Sequence, residues 1–171
     1  MTVFRWADFE GAAPELAAQG RELIARFGFV LVGTIRRDGT PRISPVEARV
    51  AQGHLMLVMI RGTHKARDVL RDSRLVLNTP VFDPADPGCE LKVRGRAVAV
   101  EDRSQLEATA KAIEAASGWR PPADWHFFSV EVEDVALMGW DRGALAMTRW
   151  VRERGLERLT RPAPLLDKPR P

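Results

Sequence analysis

One short segment concentrates side chains that bind anions. Arg61-Gly62-Thr63-His64-Lys65-Ala66-Arg67 carries four basic side chains within seven residues, and Asp68-Val69-Leu70 continues it in a pattern that predicts a short helix. Thr63 is a suitable N-cap, because its hydroxyl can accept a hydrogen bond from a free backbone N–H of the first turn.

Positive charge at the start of a helix is unusual, because the helix N-terminus already carries partial positive charge and favours acidic side chains. A phosphate would balance both the cations and the free N–H groups. A solvated basic helix, with its charges directed at water, explains the same residues. The segment therefore predicts either a phosphate site or an exposed basic surface, and the residues alone leave both open.

The strands before this segment must position it. Phe29–Ile35 is almost continuously apolar, which predicts a strand buried on both faces. Asp38 and Gly39 then favour a tight primed turn into the returning strand. In that strand Pro45, which has no N–H to donate, indicates an edge position or a bulge.

The rest of the chain predicts further strands with few helices. A helix is predicted over Pro14–Phe27, and a second begins at a capping box formed by Ser104 and Glu107. Gly95 in the middle of a strand suggests a bulge, and residues 82–88 are predicted to form a loop. Six or seven strands joined by hairpins, with two or three flanking helices, predict a mainly β (α+β) antiparallel barrel rather than a parallel sheet.

The charge distribution argues against nucleic-acid binding. The 171-residue chain has a net charge of +3, and residues 151–171 alone hold six basic against three acidic side chains, the same surplus. Residues 1–150 are therefore formally neutral, which is a poor electrostatic footprint for a duplex binder. We expect one domain over residues 1–150 and a basic, Pro-containing extension over residues 151–171.

Other sequence features bear on location. No apolar run approaches the length of a membrane span, and the first residues lack the basic start and apolar stretch of a signal peptide. The single cysteine, Cys89, has no internal disulfide partner, which suits a reducing compartment. We therefore expect a cytoplasmic protein that does not bind membranes.

Four segments, taken in order, are similar to one known family. They are Gly33-Thr34-Ile35-Arg36-Arg37-Asp38-Gly39-Thr40-Pro41, Ser44-Pro45-Val46, Gly62-Thr63-His64-Lys65-Ala66-Arg67 and Arg71-Asp72-Ser73-Arg74. Their order and spacing resemble the pyridoxamine 5′-phosphate oxidase-like flavoproteins, which share the FMN-binding split β-barrel and include deazaflavin-dependent reductases. The resemblance covers residues 29–100 well and the last strands more loosely.

The resemblance implies a homodimer with two cofactors at the subunit interface. In it Thr63 and Lys65 would hold the cofactor phosphate, Arg49 falls where the oxidases carry a phosphate-facing lysine, and Trp140 would approach from the second subunit. The residues implied in cofactor binding are Ser44, Pro45, Val46, Arg49, Ile60, Arg61, Thr63, His64, Lys65, Arg67 and Trp140.

The implied function is an FMN-dependent oxidoreductase that transfers hydride to or from a small organic substrate. Oxidation of pyridoxamine phosphate itself is not expected, because Ser44 replaces an arginine of the true oxidases and their C-terminal Arg-x-His motif is absent. No residue is predicted to be catalytic or to bind a metal, although Glu47 and His126 are the nearest acid–base candidates by type.

Two alternatives to FMN chemistry remain. One is a reductase that uses the deazaflavin coenzyme, whose acidic tail would benefit from the cations Arg61 and Arg67, with Arg42 or Arg71 beyond them. The other is a split barrel that holds flavin or haem without turnover. FMN is preferred because it is the commoner cofactor across the family.

Overall fold

The computed structural model describes residues 3–81, 89–141 and 144–162. Within these ranges the chain forms four helices and eight strands. In chain order they are α1 (Trp6–Ala12), α2 (Pro14–Phe27), β1 (Phe29–Ile35), β2 (Pro41–Ala51), β3 (His54–Met59), α3 (His64–Arg71), β4 (Arg74–Asn78), β5 (Glu90–Ala99), α4 (Arg103–Ser117), β6 (His126–Asp141), β7 (Ala144–Val151) and β8 (Gly155–Pro162).

Strands β1 to β6 close an antiparallel barrel. Their order is β3-β2-β1-β4-β5-β6, and β6 also pairs with β3 to complete the ring. Strands β7 and β8 extend the sheet from β6 beyond the barrel. The predicted mainly β split barrel and the helix Pro14–Phe27 are confirmed, whereas α1 and β8 were not predicted.

Two expectations fall partly or wholly outside the described residues. The loop predicted over residues 82–88 lies outside them, as do residues 163–171 of the expected extension. Earlier in that extension, β8 pairs with β7 along its whole length, from Gly155 opposite Val151 to Pro162 opposite Ala144. The boundary at residue 150 therefore stays a prediction, with a paired strand on its far side.

One hydrophobic core fills the barrel and extends under three helices. Val32, Leu57, Leu77 and Val130 are among the strand residues that point inward. Helix α1 packs near the β2–β3 turn, where the N–H of Ala7 donates to the carbonyl of Gly53 at 2.9 Å, and α2 packs against α1 and β2. Helix α3 packs beside the loop between β1 and β2 at the other end of β2. None of the described helices is long and apolar enough to cross a membrane.

Strand β1 has one buried and one outward face in the single chain. Val30 and Val32 lie in the core, but Leu31 between them is 36% exposed. It shares the outer surface with Ile43 of β2, 74% exposed, and Val76 of β4, 47% exposed. The prediction that both faces are buried is therefore wrong for one subunit, because an apolar run does not report whether its second face has a partner.

The turn at Asp38-Gly39 differs from the prediction, whereas the bulge at Gly95 agrees with it. Asp38-Gly39 does not form a two-residue primed turn, since Ile35 pairs with Pro41 and, of residues 36–40, only Gly39 has a positive φ (84°). The two-residue hairpin is instead Gln52-Gly53, with φ values of 47° and 75°. The predicted bulge at Gly95 is confirmed by a register shift between β5 and β6.

Helix α4 begins two residues earlier than the sequence pattern suggested. Asp102, not Ser104, is its N-cap, and the Asp102 carboxylate accepts a hydrogen bond from the backbone N–H of Gln105 at 2.9 Å. Ser104 donates its hydroxyl to the same carboxylate at 2.5 Å. Asp and Ser are both strong N-cap formers, so the sequence pattern alone does not decide between Asp102 and Ser104.

Candidate functional site

Helix α3 joins the barrel core to the predicted anion-binding segment. Ala66 and Val69 are buried in the core, whereas His64 and Arg67 face outward. This apolar pair fixes the rotation of the helix about its own axis, since turning it would expose both side chains to water. The start of the helix is thereby held beside β2.

The start of α3 has no side-chain cap. Thr63 occupies the N-cap position as predicted, but its hydroxyl donates to the carbonyl of Ile60 at 2.9 Å and does not accept from the helix. The first turn also contains no acidic residue. The predicted Thr63 cap is therefore wrong, and the backbone N–H groups of His64, Lys65 and Ala66 have no side-chain acceptor among the described residues.

Lys65 connects this helix to the open edge of β2. Its ammonium group donates to the backbone carbonyl of Pro45 at 2.6 Å. Strand β2 pairs with β3 only from Glu47 to Ala51, so residues 41–46 have no strand neighbour on that side among the described residues, which confirms the predicted edge position of Pro45. Burial lowers the pKa of Lys65. The Lys65 ammonium group, the N-terminus of α3 and the free edge of β2 therefore lie next to one another.

A basic pocket of about 510 Å³ adjoins the helix start. It lies between the β1–β2 loop, β2 and α3, and it is lined by Arg36, Arg37, Asp38, Arg42, His64, Arg67, Asp68 and Arg71. The Arg67 guanidinium folds back toward the helix start, with one nitrogen 3.9 Å from the position that a Cβ on Gly62 would take. Arg67 thus connects the helix start and the pocket.

Two of the arginines that line the pocket, Arg42 and Arg71, are paired with Asp68. That carboxylate is 4% exposed and accepts hydrogen bonds from Arg42 at 2.7 Å, from Arg71 at 3.3 Å and from the Thr34 hydroxyl at 3.3 Å. Burial by itself raises the pKa of Asp68, but the hydrogen bonds from Arg42, Arg71 and Thr34 outweigh it, so that the pKa lies below its usual value. The network ties α3 to β1 and β2.

Sequence reasoning did not identify Arg36, Arg37 or Asp68 as site residues. The Arg36-Arg37 pair was visible in the sequence next to Asp38-Gly39, but two adjacent basic residues in a loop do not by themselves indicate an anion site. Asp68 carried no such signal, because its partner Thr34 lies 34 residues away in the chain.

The structure does not bring Arg49 to the helix start. Its guanidinium packs over Gly28 at the end of α2, 2.8 Å from the position that a Cβ there would occupy, and it donates to the carbonyl of Ala48 at 3.0 Å. Arg49 is only 9% exposed. It lies four residues along β2 from Pro45, roughly 13 Å at the usual rise of a strand. Its predicted contact with a phosphate therefore has no support in the geometry of one subunit.

The other predicted residues divide into two groups. Ser44, Pro45, Val46, Ile60 and Arg61 flank the helix start, on the free edge of β2 and in the turn before α3. Of these, Val46 is 2% exposed and points into the core, so only its backbone faces the site. Trp140 lies at the far end of β6, opposite Leu145, and is 43% exposed.

The two acid–base candidates lie near the end of β3. Glu47 and His126 are on the strands that flank it, opposite Val58 and Met59 respectively. Burial raises the pKa of Glu47, and the positive charge of Arg49 opposes that shift. The position of neither residue assigns it a reacting atom, so Glu47 and His126 remain acid–base candidates by residue type alone.

The chain matches one family model and several solved folds. The model described as pyridoxamine 5′-phosphate oxidase matches residues 16–139. PhzG from Burkholderia lata 383, solved with tetrahydrophenazine-1-carboxylic acid, is 11% identical with a TM-score of 0.64 over 94% of this chain and 98% of that one. No curated protein matches the sequence.

Two further solved structures share the fold, and their descriptions name different ligands. A heme binding protein from Mycobacterium smegmatis is 15% identical with a TM-score of 0.58, covering 88% of this chain and 90% of that one. A structure described as F420 reductase is 22% identical with a TM-score of 0.54, covering 67% of this chain and 94% of that one. At these identities the likeness concerns the fold.

Proposed function

This chain belongs to the pyridoxamine 5′-phosphate oxidase family, and from that premise we propose that it is a flavin-dependent oxidoreductase that binds FMN at the start of α3. Members of this fold include proteins described as an F420 reductase and as heme binding, so the cofactor has to be argued from this chain's own residues. A cytoplasmic location accompanies the proposal, since the single cysteine, Cys89, suits a reducing compartment.

The observation that carries the proposal is the uncapped, basic start of α3. Its free backbone N–H groups and the Lys65 ammonium converge beside Pro45, and no acidic side chain in the first turn opposes an anion there. A monophosphate ester accepts several hydrogen bonds at once, so it satisfies donors that otherwise face only water. The flavin phosphate is therefore proposed to sit at this helix start.

The neighbouring residues would orient the rest of the cofactor. The free edge of β2 at residues 41–46 offers backbone groups along which a planar ring system can lie, and Ile60 and Arg61 border it. When bound, FMN supplies the hydride chemistry, while the protein supplies position and exclusion of water. A small organic substrate would meet the ring on its open side.

A second candidate cofactor is the deazaflavin coenzyme, which carries an acidic tail beyond its phosphate. The observation that favours it is the Arg67 guanidinium, folded back beside Gly62 and therefore close to any group that extends past the phosphate. Of the other cations named from the sequence, Arg42 and Arg71 are bound to Asp68 and less able to serve a tail.

We propose that the active form is a homodimer. The outward apolar side chains Leu31, Ile43 and Val76 form a patch on β1, β2 and β4, next to the free edge of β2. A two-fold partner would bury this patch in both subunits and cover the exposed side of the flavin site. Trp140 is exposed at the end of β6, which supports the proposal that it contacts the second subunit.

The dimer is tested by mass. Light scattering should give about twice the 19.1 kDa of one chain, and Ile43→Asp should shift the protein toward monomer, because the charge would be buried in the interface. Leu156→Asp, at a 48% exposed position on β8, is the matched control. A monomeric wild-type protein at micromolar concentration, with cofactor present, would refute the dimer.

The cofactor is tested by the visible spectrum of the purified and reconstituted protein. Two absorption bands of bound flavin, with FMN bound more tightly than riboflavin, support the proposal. A Soret band would show haem instead, and failure to retain FMN or the deazaflavin after reconstitution would overturn the proposal. Loss of the flavin bands on mixing with a reduced organic substrate, and their return with an oxidised one, tests turnover.

A further inference from the structure

We infer that Asp68 is a positioning residue of the proposed FMN site, which it serves through Arg42 rather than by contact with the cofactor. The inference rests on the proposed function and extends it, since it names the side chain that holds the N-terminus of α3 against the free edge of β2. The position of that N-terminus decides whether its backbone N–H groups and the Lys65 ammonium meet the same phosphate.

The free segment of β2 lacks the strand that holds the rest of β2. From Glu47 onward β2 pairs with β3, whereas residues 41–46 have only β1 as a strand neighbour among the residues that the structure describes. Two side chains of α3 contact this segment. Lys65 donates to the carbonyl of Pro45 at 2.6 Å, and Asp68 accepts a hydrogen bond from Arg42 at 2.7 Å.

The contact made by Asp68 is held more firmly than the contact made by Lys65. Asp68 is buried, and its carboxylate also accepts hydrogen bonds from the Thr34 hydroxyl of β1 and from Arg71, both at 3.3 Å. The hydrogen bond from Lys65 is exposed, and a lysine side chain loses much rotamer freedom when it is held in one place. A buried carboxylate within a hydrogen-bonded network therefore fixes α3 to β2, and the exposed ammonium follows.

The spacing along the helix connects this attachment to the helix start. Lys65 and Asp68 are three residues apart on α3, so they lie on the same side of the helix and about 4.5 Å apart along its axis. Without the pair of Arg42 and Asp68, the first turn can shift away from β2. The core contacts of Ala66 and Val69 still hold the helix on the barrel. Loss of Asp68 therefore changes where the helix start lies rather than whether the helix forms.

The test compares FMN with riboflavin, which lacks the phosphate, in titrations of the whole cofactor-free protein followed by flavin fluorescence. Asp68→Asn should raise the dissociation constant for FMN about threefold to tenfold, because groups within one network couple by that order of free energy. The dissociation constant for riboflavin should change less than about twofold, since it makes no use of the phosphate donors.

Asp134→Asn is the matched control. Asp134 is likewise a buried carboxylate paired with an arginine, since it accepts a hydrogen bond from Arg149 at 2.9 Å between β6 and β7, outside the candidate site. Both variants should lower the urea midpoint of the cofactor-free protein. Only Asp68→Asn should lower the preference for FMN over riboflavin, and an equal loss of preference in both variants would assign Asp68 a merely structural role.

Variants of Arg42 keep the test decisive even where Asp68→Asn does not fold. Arg42→Ala should show the same selective loss of FMN affinity, and Arg42→Lys, which keeps a positive charge beside Asp68, should restore most of it. In the Lys65→Ala background, Asp68→Asn should change the FMN dissociation constant less than about twofold, because the contact that Asp68 positions is already gone.

The outcomes separate this inference from the proposed function. If the wild-type protein binds FMN no more tightly than riboflavin, the phosphate site is wrong, and the inference is overturned with it. If the wild-type protein prefers FMN, and Asp68→Asn and Arg42→Ala keep that preference, the proposed function stands and the inference alone is wrong. Selective loss of FMN affinity in both variants, with recovery in Arg42→Lys, supports the positioning role.

Discussion

Replacing Lys65 with Ala should weaken FMN binding without unfolding the protein. The Lys65 ammonium has three N–H donors, and one of them binds the Pro45 carbonyl at 2.6 Å, which leaves two for a phosphate at the helix start. A charge-assisted hydrogen bond to phosphate contributes about 1.5–3 kcal/mol, so the dissociation constant should rise roughly 10- to 150-fold.

The stability cost of the same change should be small. The lost hydrogen bond to Pro45 is exposed, which makes it worth about 1 kcal/mol or less, and Ala is at least as good a helix former as Lys. Thermal unfolding without cofactor should therefore be close to that of the wild type. With FMN present the variant should gain less stability, because the gain follows ligand affinity.

The assay is quenching of FMN fluorescence on titration with cofactor-free protein at constant ionic strength. Lys111→Ala is the matched control, since Lys111 is exposed on α4 and its one ion pair within the described residues is with Glu107 at 3.6 Å. Riboflavin, which lacks the phosphate, should bind the wild type and Lys65→Ala equally. Unchanged FMN affinity in Lys65→Ala, or an equal loss for riboflavin, would refute the placement of the phosphate.

Three further predictions concern the scaffold. Asp68→Asn should lower the urea midpoint, because it leaves the partly buried Arg42 without its anionic partner. Folding lowers the pKa of Asp68, so the stability that this carboxylate contributes to the wild type should be lost as the pH falls below about 4. The Asp68→Asn variant should not show this loss of stability at low pH. Burial, together with the positive charge of Arg5, lowers the pKa of His54, so folding disfavours protonation of this side chain. The urea midpoint should therefore fall as the pH drops from 7 through about 6.5, the pKa of histidine in the unfolded chain. His54→Gln should weaken this dependence of the urea midpoint on pH. Gly95→Ala should lower the melting temperature sharply in calorimetry, since the new Cβ would lie 2.0 Å from the carbonyl oxygen of Glu131, and an unchanged melting temperature would show that the bulge is not as tight as described.

The antiparallel barrel class was accessible to sequence reasoning because it depends on local signals, whereas the strand order was not predicted. The hairpin connections between short strands favour an antiparallel sheet, and Gly95 marks the bulge in the pairing of β5 with β6. Local signals were less reliable for turn type. Asp38-Gly39 has the composition of a primed turn, but the Asp38 side chain binds Thr40 and so stabilises a longer loop.

The site was predictable only in part, because residue type is local whereas side-chain partners are not. The cations around Thr63 were visible in the sequence, and the structure places Lys65 against Pro45. Arg49 is also basic and near in sequence to Pro45, yet its guanidinium packs over Gly28, where the absence of a Cβ leaves room for it. A pattern of charges therefore predicts where basic residues gather more reliably than it predicts which arginine lies among them.

Helix α3 couples the candidate site to the stability of the barrel. Ala66, Val69 and Asp68 fix its inner side to the core and to Thr34, while its uncapped first turn faces the open edge of β2. Capping that turn with a better N-cap would raise helix stability by about 1 kcal/mol but would fill the place proposed for the phosphate. An anion bound there would itself cap the helix, so its binding free energy adds directly to the stability of the folded chain. Since no described side chain caps this turn, a bound anion would supply the cap, and its binding would stabilise the helix as well as the folded chain.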